Sequence, residues 1–280
     1  MRLMSEVVQS QCGRDGSAIV LIHGDFGDGQ DSWGLSCDLI GRRYRTVVVD
    51  RPGTGVHPGP DDSFAISGEG RYVLEAVDEL GHASFHLVGH SYGALIAIEM
   101  AISRPDMVRS LHLVEPPLLG LLPDQPPVRD MDRRVREIVE NHATRGDVAT
   151  TEAFFSMIGA DRAVERLRGT PEWDQLCGHA TRFARSQLAG DYPSQTLDRL
   201  PRTIPVTLYT GGRSHPALRL IVTELANRIE HARLVDVAEA GHAVQMSGSA
   251  FVDALLEDVT EADRPRDERE LVAAADSHRE

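Results

Sequence analysis

The chain reads as an α/β protein: a mostly parallel central sheet flanked by helices, with a helical lid inserted late in the sheet. Three observations point there. The runs AIVLI (18–22) and TVVV (46–49) are continuously apolar and β-branched, as strands covered on both faces must be. Segments of helical period separate such runs, which is the rhythm of strand–helix–strand crossovers. Residues 84–98, SFHLVGHSYGALIAI, pass from a buried strand through a tight turn into an apolar helix, with Ser91 at the tip.

Taken in order, the first strand ends at His23-Gly24-Asp25-Phe26-Gly27, a glycine-rich turn, and the second at Asp50-Arg51-Pro52-Gly53-Thr54-Gly55, which is loop chemistry. Val73, Leu74, Val77 and Leu80 recur at helical spacing, and Gly81 is placed to cap that helix. The helix after Ser91 closes before Arg104-Pro105. Residues 108–114 alternate and break at Glu115-Pro116-Pro117. From about 118 to 200 the strand rhythm gives way to short amphipathic helices around 133–142, 154–158 and 183–188. They begin at a strand's carboxyl end, where ligands of such sheets bind, so they are read as a lid over Ser91. Strands at 205–209 and 233–237, a helix at 217–229 and an apolar helix at 251–256 complete the pattern. The organisation expected is a core of residues 1–117 and 201–258, a helical lid at 118–200 and a charged, solvated tail at 259–280.

Composition narrows the chemistry. The chain has 280 residues, 41% of them hydrophobic, with no apolar run long enough to cross a bilayer and no signal-peptide core at its start. A net charge of −14 opposes binding to nucleic acid or to anionic membranes. Cys12, Cys37 and Cys177 are odd in number and lie in no metal-like spacing, so free thiols in a reducing, cytoplasmic setting are expected. All 29 basic residues are arginine, which removes Schiff-base, pyridoxal and P-loop chemistries, since each needs a lysine amine. No cofactor or metal is expected. A small-molecule substrate is the expected partner, and the chain itself is expected as a monomer or homodimer.

Ser91 needs a base to take its proton and an acid to orient that base. Among the 12 histidines His242 is the best base: it follows the last strand, sits in a glycine turn and precedes the final helix. His90 is expected to point sideways and His23 to shape its own turn. With His23-Gly24, Gly89-His90-Ser91-Tyr92-Gly93 and Gly241-His242 in this order, the chain resembles an α/β-hydrolase over nearly its whole length. The resemblance implies an oxyanion hole built from the backbone N–H groups of Tyr92 and Asp25. An anionic Asp25 side chain close to that oxyanion would oppose it, and an outward-facing turn aspartate is the first expectation.

Most members of that family carry an aspartate in the turn after the strand at 205–209. Here the turn reads Gly211-Gly212-Arg213-Ser214-His215, without a carboxylate. A minority, including haloalkane dehalogenases and resorcylic-lactone hydrolases, take the acid from the end of the strand after the helix that follows the nucleophile, which here is Glu115. Pro116 biases that residue toward an extended backbone. Asp236 and Glu239 rank lower, being too near His242 in sequence. The resemblance then implies a serine hydrolase acting on a carboxylic ester or lactone. The same residues would also serve a thioesterase or a carbon–carbon bond hydrolase. A non-hydrolytic enzyme of the same fold, kept in view by Asp25, and a small-molecule receptor are the other readings.

Overall fold

The computed structural model describes residues 17–54 and 65–264 and, for the backbone alone, 8–12. Seven strands form one sheet: β1 (Val8–Cys12), β2 (Ala18–Ile22), β3 (Arg45–Val49), β4 (Phe85–His90), β5 (Val108–Val114), β6 (Val206–Gly211) and β7 (Ala232–Val237). Their spatial order is β1-β3-β2-β4-β5-β6-β7. Only β1 runs antiparallel to its neighbour.

The β-branched runs are covered on both faces. Ala18, Val20 and Ile22 join a core with α2 (Ile66–Glu79), α3 (Tyr92–Ser103) and α9 (Pro216–Arg228). Ile19 and Leu21 join a second core on the opposite face, with α1 (Gly29–Ile40) and α10 (Ser249–Asp263). Every residue of β2 is fully buried, which explains why this strand is apolar throughout rather than alternating. The helix α3 is buried nearly all round, as its uniformly apolar sequence requires.

Between β5 and β6 the chain forms α4 (Pro126–Glu140), α5 (His142–Met157), α6 (Asp161–Leu167), α7 (Pro171–Gly178) and α8 (Ala180–Arg185). This insertion packs back on the sheet's helices through contacts such as α4 with α9.

The structure departs from the sequence reading at several edges. Strand β1 and helix α1 had no sequence expectation; in α1 the buried stripe is only Trp33, Cys37 and Ile40 among glycines and serines. Helix α2 starts at Ile66, about two turns before the apolar repeat that begins at Val73. The helix expected over 183–188 ends at Arg185, after which the backbone is extended at Ser186. The final helix runs on to Asp263, because Val259 and Ala262 continue its buried stripe, so the charged tail does not begin at 259. The remainder of that expected tail, 265–280, lies outside the described residues, as do 1–7, 13–16 and 55–64. Among the described residues no helix is long and apolar enough to cross a membrane, and Cys37 and Cys177 are free thiols.

Candidate active site

Ser91 sits between β4 and α3 with φ 51° and ψ −125°, a conformation that the surrounding contacts must enforce. A Cβ on Gly89 would lie 2.5 Å from the Gly93 carbonyl oxygen, and one on Gly93 would lie 2.4 Å from that of His23. Only glycine fits at either place. The Ser91 N–H donates to the Val114 carbonyl at 2.8 Å, pinning the turn to the end of β5. Among the described residues, three non-glycine positions have positive φ: Phe26, Ser91 and Glu115. All three lie in loops that meet at this edge of the sheet.

His242 arrives from the loop after β7. Its Nε2 lies 3.0 Å from Ser91 Oγ and its Nδ1 2.7 Å from Glu115 Oε2. With Nδ1–H donating to the carboxylate, Nε2 is left to accept from the serine hydroxyl. His90 does turn away from the nucleophile. Its Nε2–H donates to the His242 carbonyl at 3.1 Å, and its Nδ1 accepts from Gln245 at 3.2 Å. Burial, and the neighbouring His242, hold its pKa well below the ordinary imidazole value. It is a neutral brace for the loop that carries His242.

Glu115 is completely buried. Its Oε1 accepts from Thr210 Oγ1 at 3.0 Å and from the Gly211 N–H at 2.8 Å, while Oε2 accepts from Ser214 Oγ and His242. The turn that lacks a carboxylate therefore supplies donors to the carboxylate from β5. The extended backbone expected from Pro116 is not observed. Glu115 has φ 46°, because its own N–H must bond the Tyr209 carbonyl while its side chain drops among four donors. Asp236 and Glu239 pair instead with Arg219 and Arg213 at the surface.

Asp25 differs from the outward-facing expectation. Its Oδ1 accepts from Arg51 at 3.1 Å and lies 3.7 Å from Arg182, and the residue lines the cleft beside Ser91. Arg51 is fully buried and donates to Glu69 at 2.8 Å and to the Gly24 carbonyl at 2.8 Å. Burial works against its charge, but Glu69 and Asp25 outweigh that and raise its pKa above the ordinary value. Arg182, from α8, adds a 2.6 Å bond to Glu69 and a 2.8 Å bond to the Pro52 carbonyl. Two guanidiniums and two carboxylates thus neutralise one another inside the protein. Sequence reasoning missed this cluster, whose members share no local pattern. His23 does shape its turn, bonding Gly24 and accepting from the Arg51 N–H. Asp50, at the end of β3, serves helix α1 by accepting from the Gly29 N–H at 2.9 Å.

The cleft over Ser91 spans about 550 Å³ of space between its walls, part of it open to solvent. Its walls are mainly apolar: Met131, Phe154, Met157, Ile158 and Phe183 of the insertion face Leu218 of the core. Asp25, Ser91 and His242 form its polar end.

Fold and site together define an α/β-hydrolase scaffold with a buried serine–histidine–glutamate arrangement. The chain belongs to the alpha/beta hydrolase family, whose model matches residues 19–254. It is 25% identical over 252 residues to the dihydrolipoyllysine-residue acetyltransferase component of the acetoin cleaving system of Pseudomonas putida, covering 86% of this chain and 62% of that protein. Over 100 residues it is 32% identical to RutD of Klebsiella pneumoniae (strain 342), a protein named for carbamate hydrolysis; the match covers 35% of this chain and 38% of RutD. The chain thus spans less than two thirds of these curated relatives. A thermophilic esterase from Thermogutta terrifontis has the same fold, with a TM-score of 0.75 at 18% identity over 91% of this chain and 93% of the other.

Proposed function

We propose that the protein is a serine hydrolase that cleaves a carboxylic ester or lactone of a small, largely apolar substrate through an acyl-enzyme on Ser91. One observation carries this reading: the unbroken path from Ser91 Oγ through both nitrogens of His242 to Glu115, opening on an apolar cleft. As Oγ attacks the carbonyl carbon, its proton passes to Nε2 and the imidazolium is stabilised by Glu115. The oxyanion formed is met by the backbone N–H groups of Tyr92 and Asp25. Tyr92 is the first residue of α3, so its N–H has no acceptor within the helix and lies at the positive end of the helix dipole. The Nε2 proton then goes to the leaving alkoxide, and water, activated by the same nitrogen, releases the acid.

The Asp25 carboxylate does not defeat this arrangement, because Arg51 and Arg182 stand against its charge. The same pairing denies it the free basic role that a non-hydrolytic reaction would ask of it. Insertion residues wall the cleft on one side, which supports reading that segment as a lid and the preferred substrate as compact.

The experiment is labelling with a fluorophosphonate followed by mass spectrometry, then turnover of a panel of esters, lactones and thioesters. A single adduct on Ser91, lost in Ser91→Ala together with turnover, is the expected result. Full turnover by Ser91→Ala, or silence of the wild type toward the probe, would transfer the protein to the non-hydrolytic reading. Thioesters or carbon–carbon substrates turned over faster than esters would keep the mechanism and change the substrate class.

A further inference from the structure

Both residues read as oxyanion donors have their side chains tied to one short stretch of the insertion, residues 182–187. From the Asp25 side, Arg182 reaches Asp25 Oδ1 at 3.7 Å and shares Glu69 with Arg51, which itself bonds Gly24 O and Asp25 Oδ1. On the Tyr92 side, the phenol donates to the Gln187 carbonyl at 3.0 Å, and the Arg51 guanidinium lies 4.3 Å above its ring. Burial first, then Glu69, raises the pKa of that phenol, so it keeps the proton it donates. The next loop residue, Phe26, has φ 55° and packs against Phe154 of α5 and Phe183 of α8, at 4.5 and 5.0 Å between ring centroids. The loop has little room to settle elsewhere: a Cβ on Gly24 would stand 2.9 Å from Ser91 Cβ.

Resting on the serine-hydrolase reading, we propose that the insertion acts on the reaction as well as on the pocket's shape: Arg182 is a positioning residue that, with Phe183 and Gln187, sets the oxyanion loop 24–26 and Tyr92, so that the oxyanion hole is complete only when α8 is seated. Arg182 works through others. Without its charge, Glu69 and Asp25 have only Arg51 to share, and the guanidinium that holds Gly24 O and Asp25 is drawn toward Glu69. Without Phe183, the strained backbone of Phe26 loses a face that holds it. Neither loss touches Ser91, His242 or Glu115.

A compact probe, smaller than bulky ester substrates, separates this role from mere pocket building. Diisopropyl fluorophosphate places its phosphoryl oxygen in the oxyanion hole, so the second-order rate of Ser91 labelling reports that hole directly. The rate is measured for the wild-type chain, Arg182→Met and Arg182→Lys, across pH and alongside melting curves. Arg182→Met is expected to label about 10–100-fold more slowly. The shape of the labelling pH profile should be unmoved, and Arg182→Lys should restore part of the rate. Labelling of Arg182→Met within twofold of wild type, with the only loss appearing in KM for bulky esters, would overturn the proposal. Should Arg182→Met melt below the assay temperature, Phe26→Leu decides with the same two readings, since it loosens the loop without disturbing a charge. A wild-type chain that fails to label on Ser91 would overturn the nucleophile reading and this proposal with it, a result distinct from slow labelling of the variant alone.

Discussion

Glu69 and Glu115 both bury a carboxylate almost completely, at 2% and 0% exposure, and the protein solves the same desolvation problem in two ways. Around Glu69 stand two full positive charges, Arg51 and Arg182. Around Glu115 stand a hydroxyl from Thr210, another from Ser214, one backbone N–H and a histidine, none of which carries a fixed charge. A carboxylate already matched by two guanidiniums gains little from a third positive group. One held by neutral donors still has its charge to offer when the adjacent imidazole takes a proton. The first arrangement suits a fixed strut and the second suits a group that stabilises a transient charge.

The largest effect should come from Glu115→Gln. The amide must satisfy the Gly211 N–H and Thr210 with its oxygen, so its NH2 faces Ser214 and His242 Nδ1. That favours the tautomer with Nε2 protonated, which cannot accept from Ser91. We expect kcat to fall on the order of 10²–10⁴-fold, with a cooperative melt retained. Activity within a few-fold of wild type would show that Glu115 is a strut like Glu69, and would break the contrast.

Glu69→Gln should do the reverse, acting on stability before rate. It leaves two buried guanidiniums with Asp25 as their one remaining carboxylate in the cluster, and breaking a buried pair of this kind costs about 3–5 kcal/mol. Chemical denaturation should show that loss, and the residual folded protein should keep the wild-type pH profile of turnover. A stability change below about 1 kcal/mol would mean the cluster is solvated and that the contrast is overdrawn.

The histidines that flank each assembly sharpen the comparison through pH. His23, beside the charged cluster, and His90, beside the relay, both have pKa values held well below normal, in each case chiefly by burial. His112, within β5, is lowered to about 3, also by burial. All three are neutral when folded and take protons on unfolding below the ordinary imidazole value near 6.5. Their contribution is therefore intact at neutral pH and is lost as pH falls from about 6.5 toward 3. Each group contributes up to about 1.4 kcal/mol per pH unit in that window. Equilibrium unfolding at pH 7.5, 6.0 and 5.0 should show stability falling with acidity; a flat profile would show these histidines solvated.

How much of this was legible in the sequence follows the same division. Ser91, His242 and Glu115 stand at strand ends in short, recognisable surroundings, and the empty turn at 211–215 pointed to Glu115 by default. The strands β2 and β3 were legible because double-sided burial forces apolar runs. Arg51, Glu69 and Arg182 were not, since Arg182 meets Glu69 113 positions away and Pro52 130 away, and one arginine among 29 basic residues carries no mark of burial. Thr210 and Ser214 were hidden for a related reason: small hydroxyl residues are common in loops, and only the approach of Glu115 gives them a task.

Ser214 also supplies the smallest and most delicate test of the contrast. Its hydroxyl donates to the same Oε2 that receives His242 Nδ1–H. Ser214→Ala removes one neutral donor and leaves Thr210, Gly211 and His242 in place, so the carboxylate stays satisfied. Oε2 then directs more of its charge at the histidine and stabilises the cation formed during the reaction better, which should raise kcat/KM a few-fold. The lost donor should cost about 1 kcal/mol of stability. If neutral donors tune Glu115 as argued, a Ser214→Thr variant restores the original kcat/KM, because it restores the hydroxyl. An unchanged kcat/KM in Ser214→Ala would mean that this hydroxyl positions the carboxylate without sharing its charge, and that the difference between the two glutamates lies in geometry alone.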